Sequence, residues 1–556
     1  MLEVKDLRIE FYDHSRPEVA VRDVDFTLGE GEILGLVGES GSGKSLTANA
    51  IAGLIRRGDV KISGEVWWDN TEDLPGLEDK TDRVDLLRAS RRTMRALQGQ
   101  DIGFIFQDPM TAFSPVHKIG FQVEDALRVH GKNTSKDGKK EEYLKEELKE
   151  KALKALADVD LPDPERVYNS YPFELSGGMR QRAMIASAMI SKPKLLIADE
   201  PTTALDVTVQ AEIIKLLQRI NAKDHTAILF ISHDLGLVRK LCSKVLVLKD
   251  GDVVEQGPAE EIFNSPKAEY TKKLIAAEVK VGEKKTSETD EGKKDGAEAG
   301  SEDAPKTEEC VVRGLTYYYP ARKDWGAISL WGRKEAAKSE PIGIKDISLT
   351  VHKGEIMGLV GESGSGKSTL AKCIVGLLPV KEGEVKCGLA RMVFQDSYSA
   401  LNPKRRVGWL LRESLKLSKV TDSNEINARI KDILSEVELS EELLDRYPKE
   451  LSGGQRQRVM IAMALLQKPT FLIADEPVSA LDVAIGESIT KLLMDLSRKR
   501  GMAILFISHD LRTVYSLCDK VCVMKEGRIV EMADKEELYT NPKEEYTKLL
   551  LRSALE

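Results

Sequence analysis

Lysine, serine, glutamine, aspartate, glutamate and histidine each recur at matched places along this chain, in a pattern suited to chemistry on phosphate. GLVGESGSGKS runs from Gly35 to Ser45 and again from Gly358 to Ser368. The G-x-x-x-x-G-K-S pattern within it lets a glycine-rich backbone wrap closely around phosphates and aim its amides at them. The positive end of the following helix adds to the pull. The cradle residues are Gly38, Ser40, Gly41, Gly43, Lys44 and Ser45 in the first copy, and Gly361, Ser363, Gly364, Gly366, Lys367 and Ser368 in the second. Lys44 and Lys367 would reach the β and γ phosphates of a nucleotide, and the hydroxyls of Ser45 and Ser368 would ligate magnesium.

Two acid pairs, Asp199-Glu200 and Asp475-Glu476, each close an apolar run. A carboxylate at Asp199 or Asp475 suits the outer shell of that magnesium. Glu200 and Glu476, expected to point the other way because neighbours on a strand alternate sides, would polarise the attacking water, a contribution of about 10²–10⁴-fold. His233 and His509 close the next apolar run, in ISHD, where a contact to the γ-phosphate is expected.

These residues need a scaffold that brings loop ends together. EILGLV, KLLIADE and TAILFISHD read as fully buried strands of a parallel sheet, with the chemistry placed at their C-terminal ends. Helix-prone stretches at 141–159 and 424–439 lie ahead of each LSGG. Each half of the chain is therefore an α/β nucleotide core with a mainly helical insert.

The halves are repeats. LSGG, IADEP and ISHD start at Leu175, Ile197 and Ile231 and again at Leu451, Ile473 and Ile507, always 276 residues apart. The phosphate loops are 323 apart, because a charged insertion (TEDLPGLEDKTDRVDLLRASRRTMRAL) separates Lys44 from Gln107, while the span from Lys367 to Gln395 is short. Residues 281–309 are dense in Lys, Glu, Asp, Gly and Ser and cannot bury enough apolar surface to order themselves. They read as a flexible linker between domains at 1–280 and 310–556.

Composition narrows the partners. The net charge of −8 argues against a nucleic-acid binder that relies on a broad basic surface. Six cysteines (Cys242, Cys310, Cys373, Cys387, Cys518 and Cys522) form no CxxC pair, so neither a disulfide framework nor a zinc site is expected. The N-terminus has no apolar signal region and no run of about 18 apolar residues occurs, so a cytoplasmic chain is expected, with any membrane role peripheral.

In order, the phosphate loop, Gln107/Gln395, LSGGMRQR/LSGGQRQR, IADEP, TALD/SALD and ISHD resemble the ATPase subunits of ABC transporters, over 1–277 and 310–556. The resemblance implies two P-loop NTPase domains, each with a RecA-like core, an antiparallel β edge and a helical subdomain. It implies ATP and Mg2+ as cofactors, and intramolecular head-to-tail pairing. Ser452, Gly453 and Gly454 would complete the site of Lys44, and Ser176, Gly177 and Gly178 that of Lys367. Gln107 and Gln395 would sense magnesium and water and pass the state to the helical insert. Phe11 and Tyr319 match the aromatic that stacks on adenine, although a strand-packing role for Phe11 stands beside that.

QDPMTAFSP (107–115), QDSYSALNP (395–403) and the tails NSPKAEYTKKL (264–274) and NPKEEYTKLL (541–550) resemble the oligopeptide, dipeptide and nickel importer ATPases. So does the insertion PARKDWGAISLWGRKE, and the fused chain resembles glutathione-type importers. That implies two transmembrane permease subunits, an extracytoplasmic solute-binding protein and a peripheral place on the cytoplasmic side of the membrane. Glu269 and Glu545 depart from the proline of the tail motif, Phe113-Ser114 from its Leu-Asn, and the cysteine-rich tail cluster of some relatives is missing. The rival is a soluble twin-cassette ATPase in translation, repair or activation of an enzyme complex. Translation members carry a long basic helical arm and repair members carry coiled coils or zinc sites, and neither feature occurs here. A regulator that binds nucleotide without turnover is disfavoured by the intact Glu200 and Glu476.

Overall fold

The structure, a computed structural model, describes residues 1–13, 16–39, 41–55, 58–69, 82–130, 133–134, 140–141, 145–203, 205, 207–279, 307–319, 343–395, 400–417, 420, 422–478, 481 and 483–555. Ser40, most of the linker span and the PARKDWGAISLWGRKE insertion lie outside the described residues. Chain contacts divide the molecule into two compact units, Met1–Leu205 with Val209–Lys280, and Asp206–Thr208 with Val281–Glu556. Glu308 and Glu309 already belong to a strand of the second unit, Glu308–Tyr318, although they read as linker.

In the first unit a six-stranded sheet runs in the order Asp252–Pro258, Lys244–Lys249, Ile33–Val37, Ala227–Ile231, Leu195–Asp199, Ile102–Ile105. All its neighbours pair parallel except the antiparallel edge strand Asp252–Pro258. Central strands are buried along their whole length, which is why they read as unbroken apolar runs instead of alternating ones. Their two faces serve two cores. Leu34, Leu36, Leu195 and Ile197 pack toward a second, antiparallel sheet of Arg16–Leu28, Leu2–Asp13, Val60–Asp69 and Arg83–Asp85, which buries Trp68. Ile33, Val37, Leu196 and Ala198 pack toward the helices.

The second unit repeats this plan. Its six-stranded sheet has the order Ala390–Val393, Phe471–Asp475, Ala503–Ile507, Ile356–Val360, Lys520–Lys525, Arg528–Asp534, beside a three-stranded antiparallel sheet. The fourth antiparallel strand of the first unit, Arg83–Asp85, comes from the charged insertion that the second unit lacks. The helix-prone segments form helices at Lys145–Asp158 and Ser423–Glu436. Each stands with a helix that follows the Gln loop, Ile119–His130 or Val407–Leu417, as the helical subdomain of its unit. Among the described residues no helix is long and apolar enough to cross a membrane. All six cysteines are free and five are buried, and the described residues hold no cluster of three or more metal-ligating His, Cys, Asp or Glu.

Candidate active site

The loop between strand Ile33–Val37 and helix Lys44–Ile51 is shaped by its glycines. At Gly38 a β-carbon would meet the carbonyl oxygen of Leu248 at 2.2 Å, and Gly43 caps the helix at φ 96°. Both positions exclude larger residues. Gly361 and Gly366 hold the same roles, with the Met524 carbonyl oxygen at 2.1 Å and φ 105°. Beside Gly41 and Gly364 nothing lies within 4 Å, so the crest of each loop opens onto free space. Ser363 lies on the second loop, at the position that Ser40 holds in the first.

Lys44 is 5% exposed, and its ammonium donates to the carbonyls of Gly38 and Glu39, both at 2.8 Å. Lys367 does the same to Gly361 at 2.7 Å and Glu362 at 2.9 Å. The next residue turns its hydroxyl to the neighbouring strand end, and Ser45 Oγ donates to Asp199 Oδ1 at 2.9 Å. Burial pushes the Asp199 carboxyl up to about 6 against that hydrogen bond, and the charge of Glu200 adds to the rise. Asp475 is pushed up in the same way by burial, with Ser368 opposing.

Glu200 diverges from Asp199, but not by strand alternation as expected. The strand ends at Asp199, and Glu200 takes a left-handed backbone with φ 46°. Its N–H donates to the Ile231 carbonyl at 3.0 Å, on the strand that leads to His233. This turn carries the carboxylate into a ring of partners. Gln107 Nε2 and Thr203 Oγ1 each donate to Oε2 at 2.9 Å, and His233 Nδ1 stands 3.4 Å from Oε1. Burial works to raise this carboxyl, but the hydrogen bond and charge of His233, with Thr203 and Lys44, outweigh it and hold it at about 2. His233 is raised in return, first by its hydrogen bond to Glu200. Glu476 repeats the geometry, with φ 46°, Gln395 Nε2 at 2.6 Å and His509 Nδ1 at 3.4 Å. Its carboxyl lies below the usual range because His509 and Lys367 overcome burial.

Each unit thus gathers Lys, Ser, Asp, Gln, Glu and His at one end of its parallel sheet. The set fits a nucleotide with a hard divalent cation: backbone turns and a buried ammonium for phosphate, and hydroxyl, amide and carboxylate oxygens for the metal. Ser176 and Ser452 sit elsewhere in their units, as N-caps of helices Gly177–Met189 and Gly453–Leu465. Gly177, Gly178, Gly453 and Gly454 form the first turns of those helices. A β-carbon at Gly178 or Gly454 would stand 2.8 or 2.6 Å from Val209 or Ile485. Phe11 is half-buried and packs into the core of the antiparallel sheet, whereas Tyr319 is 40% exposed and its hydroxyl meets Thr369 at 3.2 Å. The adenine-stacking expectation therefore has an accessible ring in the second unit and a core-packed one in the first.

Sequence reasoning missed Thr203, whose hydroxyl role has no spacing signal. It also left the tail tyrosines Tyr270 and Tyr546 as a resemblance only, although they are 276 residues apart like the other repeats. Their hydroxyls accept the N–H of Glu39 at 3.3 Å and Glu362 at 3.1 Å, inside the phosphate loops.

Fold and site together define a protein with two P-loop nucleotide-binding cores in one chain. The ABC transporter family profile matches residues 21–203 and 344–479, and the chain belongs to that family. A second profile, the oligopeptide/dipeptide transporter C-terminal region, matches 254–310 and 530–556. The chain is 38% identical to the peptidoglycan transport ATP-binding protein YejF of Agrobacterium fabrum, over 100% of this chain and 96% of that one. It is 36% identical to the glutathione import ATP-binding protein GsiA of Salmonella choleraesuis, over 99% and 89%. A solved chain in the complex of archaeal ribosomal stalk protein aP1 and ribosome recycling factor aABCE1 covers 94% of this chain and 90% of its own length. It has a TM-score of 0.57 at 19% identity, a likeness of fold alone. The protein is an ABC-type ATPase with two nucleotide-binding cassettes.

Proposed function

We propose that the chain hydrolyses ATP at two magnesium-dependent sites and that this drives import of a peptide-like or related small solute through separate transmembrane subunits. The observation that carries the two-site reading is the duplicated set around Glu200 and Glu476, complete in both units. Magnesium, held by Ser45, Gln107 and Asp199, or by Ser368, Gln395 and Asp475, would neutralise phosphate charge. Lys44 and Lys367 leave their carbonyl partners for the β and γ phosphates. Glu200 and Glu476, held ionised, accept the hydrogen bond of the attacking water, and His233 and His509 orient that carboxylate and meet the γ-phosphate. Gln107 and Gln395 report occupancy to the helical subdomain. Phe11 and Tyr319 stand at the adenine end.

In this reading each site is completed by the Ser-Gly-Gly turn of the other half: Ser452, Gly453 and Gly454 for Lys44, Ser176, Gly177 and Gly178 for Lys367. The domains are 1–280 and 310–556, joined by 281–309. Two permease subunits and an extracytoplasmic solute-binding protein are the partners, and the chain works on the cytoplasmic face of the membrane. The tail match and the full-length likeness to transport and import ATP-binding proteins support transport over the soluble rival. Purifying the native chain with its partners tests this. Two multi-spanning membrane proteins are expected, and a soluble enzyme complex in their place would overturn it.

A further inference from the structure

Each unit ends in a helix that reaches back to its own phosphate loop. In the first unit, Glu255 accepts the N–H groups of Lys267 at 2.8 Å and Ala268 at 3.1 Å, fixing the start of helix Glu269–Val279. One residue into that helix, Tyr270 is half-buried, with the Lys249 ammonium 5.0 Å over its ring. Its hydroxyl accepts the N–H of Glu39 and also meets the Glu39 carboxylate. The carbonyl of Glu39 is one of the two on which the Lys44 ammonium rests. One loop residue is thus gripped from both sides, by the tail at its N–H and by the phosphate lysine at its C=O.

The second unit builds the same chain of contacts. Glu531 accepts from Lys543 and Glu544 at 2.8 and 3.1 Å, Lys525 stands 4.8 Å over Tyr546, and Tyr546 accepts the N–H of Glu362 while Lys367 donates to the Glu362 carbonyl. Tyr270 and Tyr546 lie 276 residues apart and their targets Glu39 and Glu362 lie 323 apart. The contact therefore forms in both units although the segments that make it are differently spaced.

We propose that Tyr270 and Tyr546 are positioning residues for the phosphate loops: each tail helix sets the turn on which the phosphate lysine waits, and so sets affinity for nucleotide. This rests on the reading that the loops hold ATP phosphates. A loop held in its binding shape has less ordering left to do when phosphate arrives. Glu39 is exposed, so without the hydroxyl its N–H turns to water and the fold survives. The loss falls on binding, while the distant Glu200 and Glu476 keep their chemistry.

The test uses the full chain with Tyr270→Phe, Tyr546→Phe and both, since phenylalanine keeps the ring, its packing and the lysine contact. With a fluorescent N-methylanthraniloyl ATP and magnesium as probe, the double variant is expected to raise Kd and KM about two- to tenfold, the size of one neutral hydrogen bond, with kcat within about twofold. The melting midpoint without nucleotide should stay within about 1 °C. Amide exchange should quicken over residues 36–46 for Tyr270→Phe and over 359–369 for Tyr546→Phe. Unchanged Kd and exchange would overturn the proposal, as would a loss of affinity matched by a drop in melting midpoint, or a fall in kcat at constant KM. Failure of the unaltered chain to bind the probe would instead overturn the nucleotide reading, and this one with it.

Discussion

Glu200 and Glu476 share a backbone angle, a glutamine and a histidine, and part company in what lies next to them. Glu200 also accepts a hydrogen bond from Thr203, whereas the matching position in the second unit is Ser479, outside the described residues. A second contrast lies in the LSGG turns. Ser452 and Gln455 form a reciprocal capping box, with Gln455 Oε1 accepting the Ser452 N–H at 3.0 Å. The first unit has Met179 there, so Ser176 accepts from the Met179 N–H while nothing can answer in return. Identity is thus complete where side chains face phosphate, and it relaxes at the supports that only steady them.

That contrast can be broken most forcefully at the glutamates. Glu200→Gln and Glu476→Gln, made together, should lower turnover by about 10²–10⁴-fold. Each alone should slow turnover substantially, and a single variant that runs at the wild-type rate would end the two-active-site reading. Lys44→Ala and Lys367→Ala should each weaken nucleotide binding at their own site by about 10–100-fold, the size of a lost charge-assisted hydrogen bond. Titration with fluorescent ATP should then leave one tight site per chain. Loss of both sites from one change would show that binding, and not only turnover, is shared.

A smaller effect separates pH values. The His233 pKa is raised in the folded chain, chiefly by the hydrogen bond to Glu200. The pair's stabilisation is therefore full below the ordinary histidine value of about 6.5 and is lost as pH rises through the raised one. His233→Gln should lower the melting midpoint by roughly 1–3 °C at pH 6, with the gap closing in alkaline buffer. A gap that widens with pH would reverse the assignment. The smallest expected effect is at the caps. Met179→Gln should complete the first capping box and add a few tenths to about 1 kcal/mol, and Gln455→Met should remove as much, both read from melting midpoints.

Much of this was legible because the chemistry sits at the ends of buried strands, and buried strands announce themselves as unbroken apolar runs. The phosphate loops, Asp199, Asp475, His233 and His509 were placed by that rule alone, and the repeat doubled each signal. What escaped depended on backbone angle or on contacts between distant segments. The divergence of Glu200 from Asp199 comes from a left-handed residue that no alternation rule predicts, because acids other than glycine seldom adopt it. Tyr270 looks like an ordinary aromatic on an amphipathic helix until its hydroxyl is seen against Glu39. Phe11 and Tyr319 occupy equivalent positions in sequence, yet one is covered by its own core and the other is open, a difference of packing that position does not encode.

The angle of 46° at both glutamates has a practical consequence for anyone who would transplant this chemistry. Such a conformation costs a residue with a β-carbon about 1–3 kcal/mol, and it holds here because the N–H of each glutamate is tied to the adjoining strand. A designer who copied the six side chains onto a relaxed strand-to-loop junction would aim the carboxylate elsewhere. The portable unit is the pair of laced strands with their twist, and the residues are only its visible part.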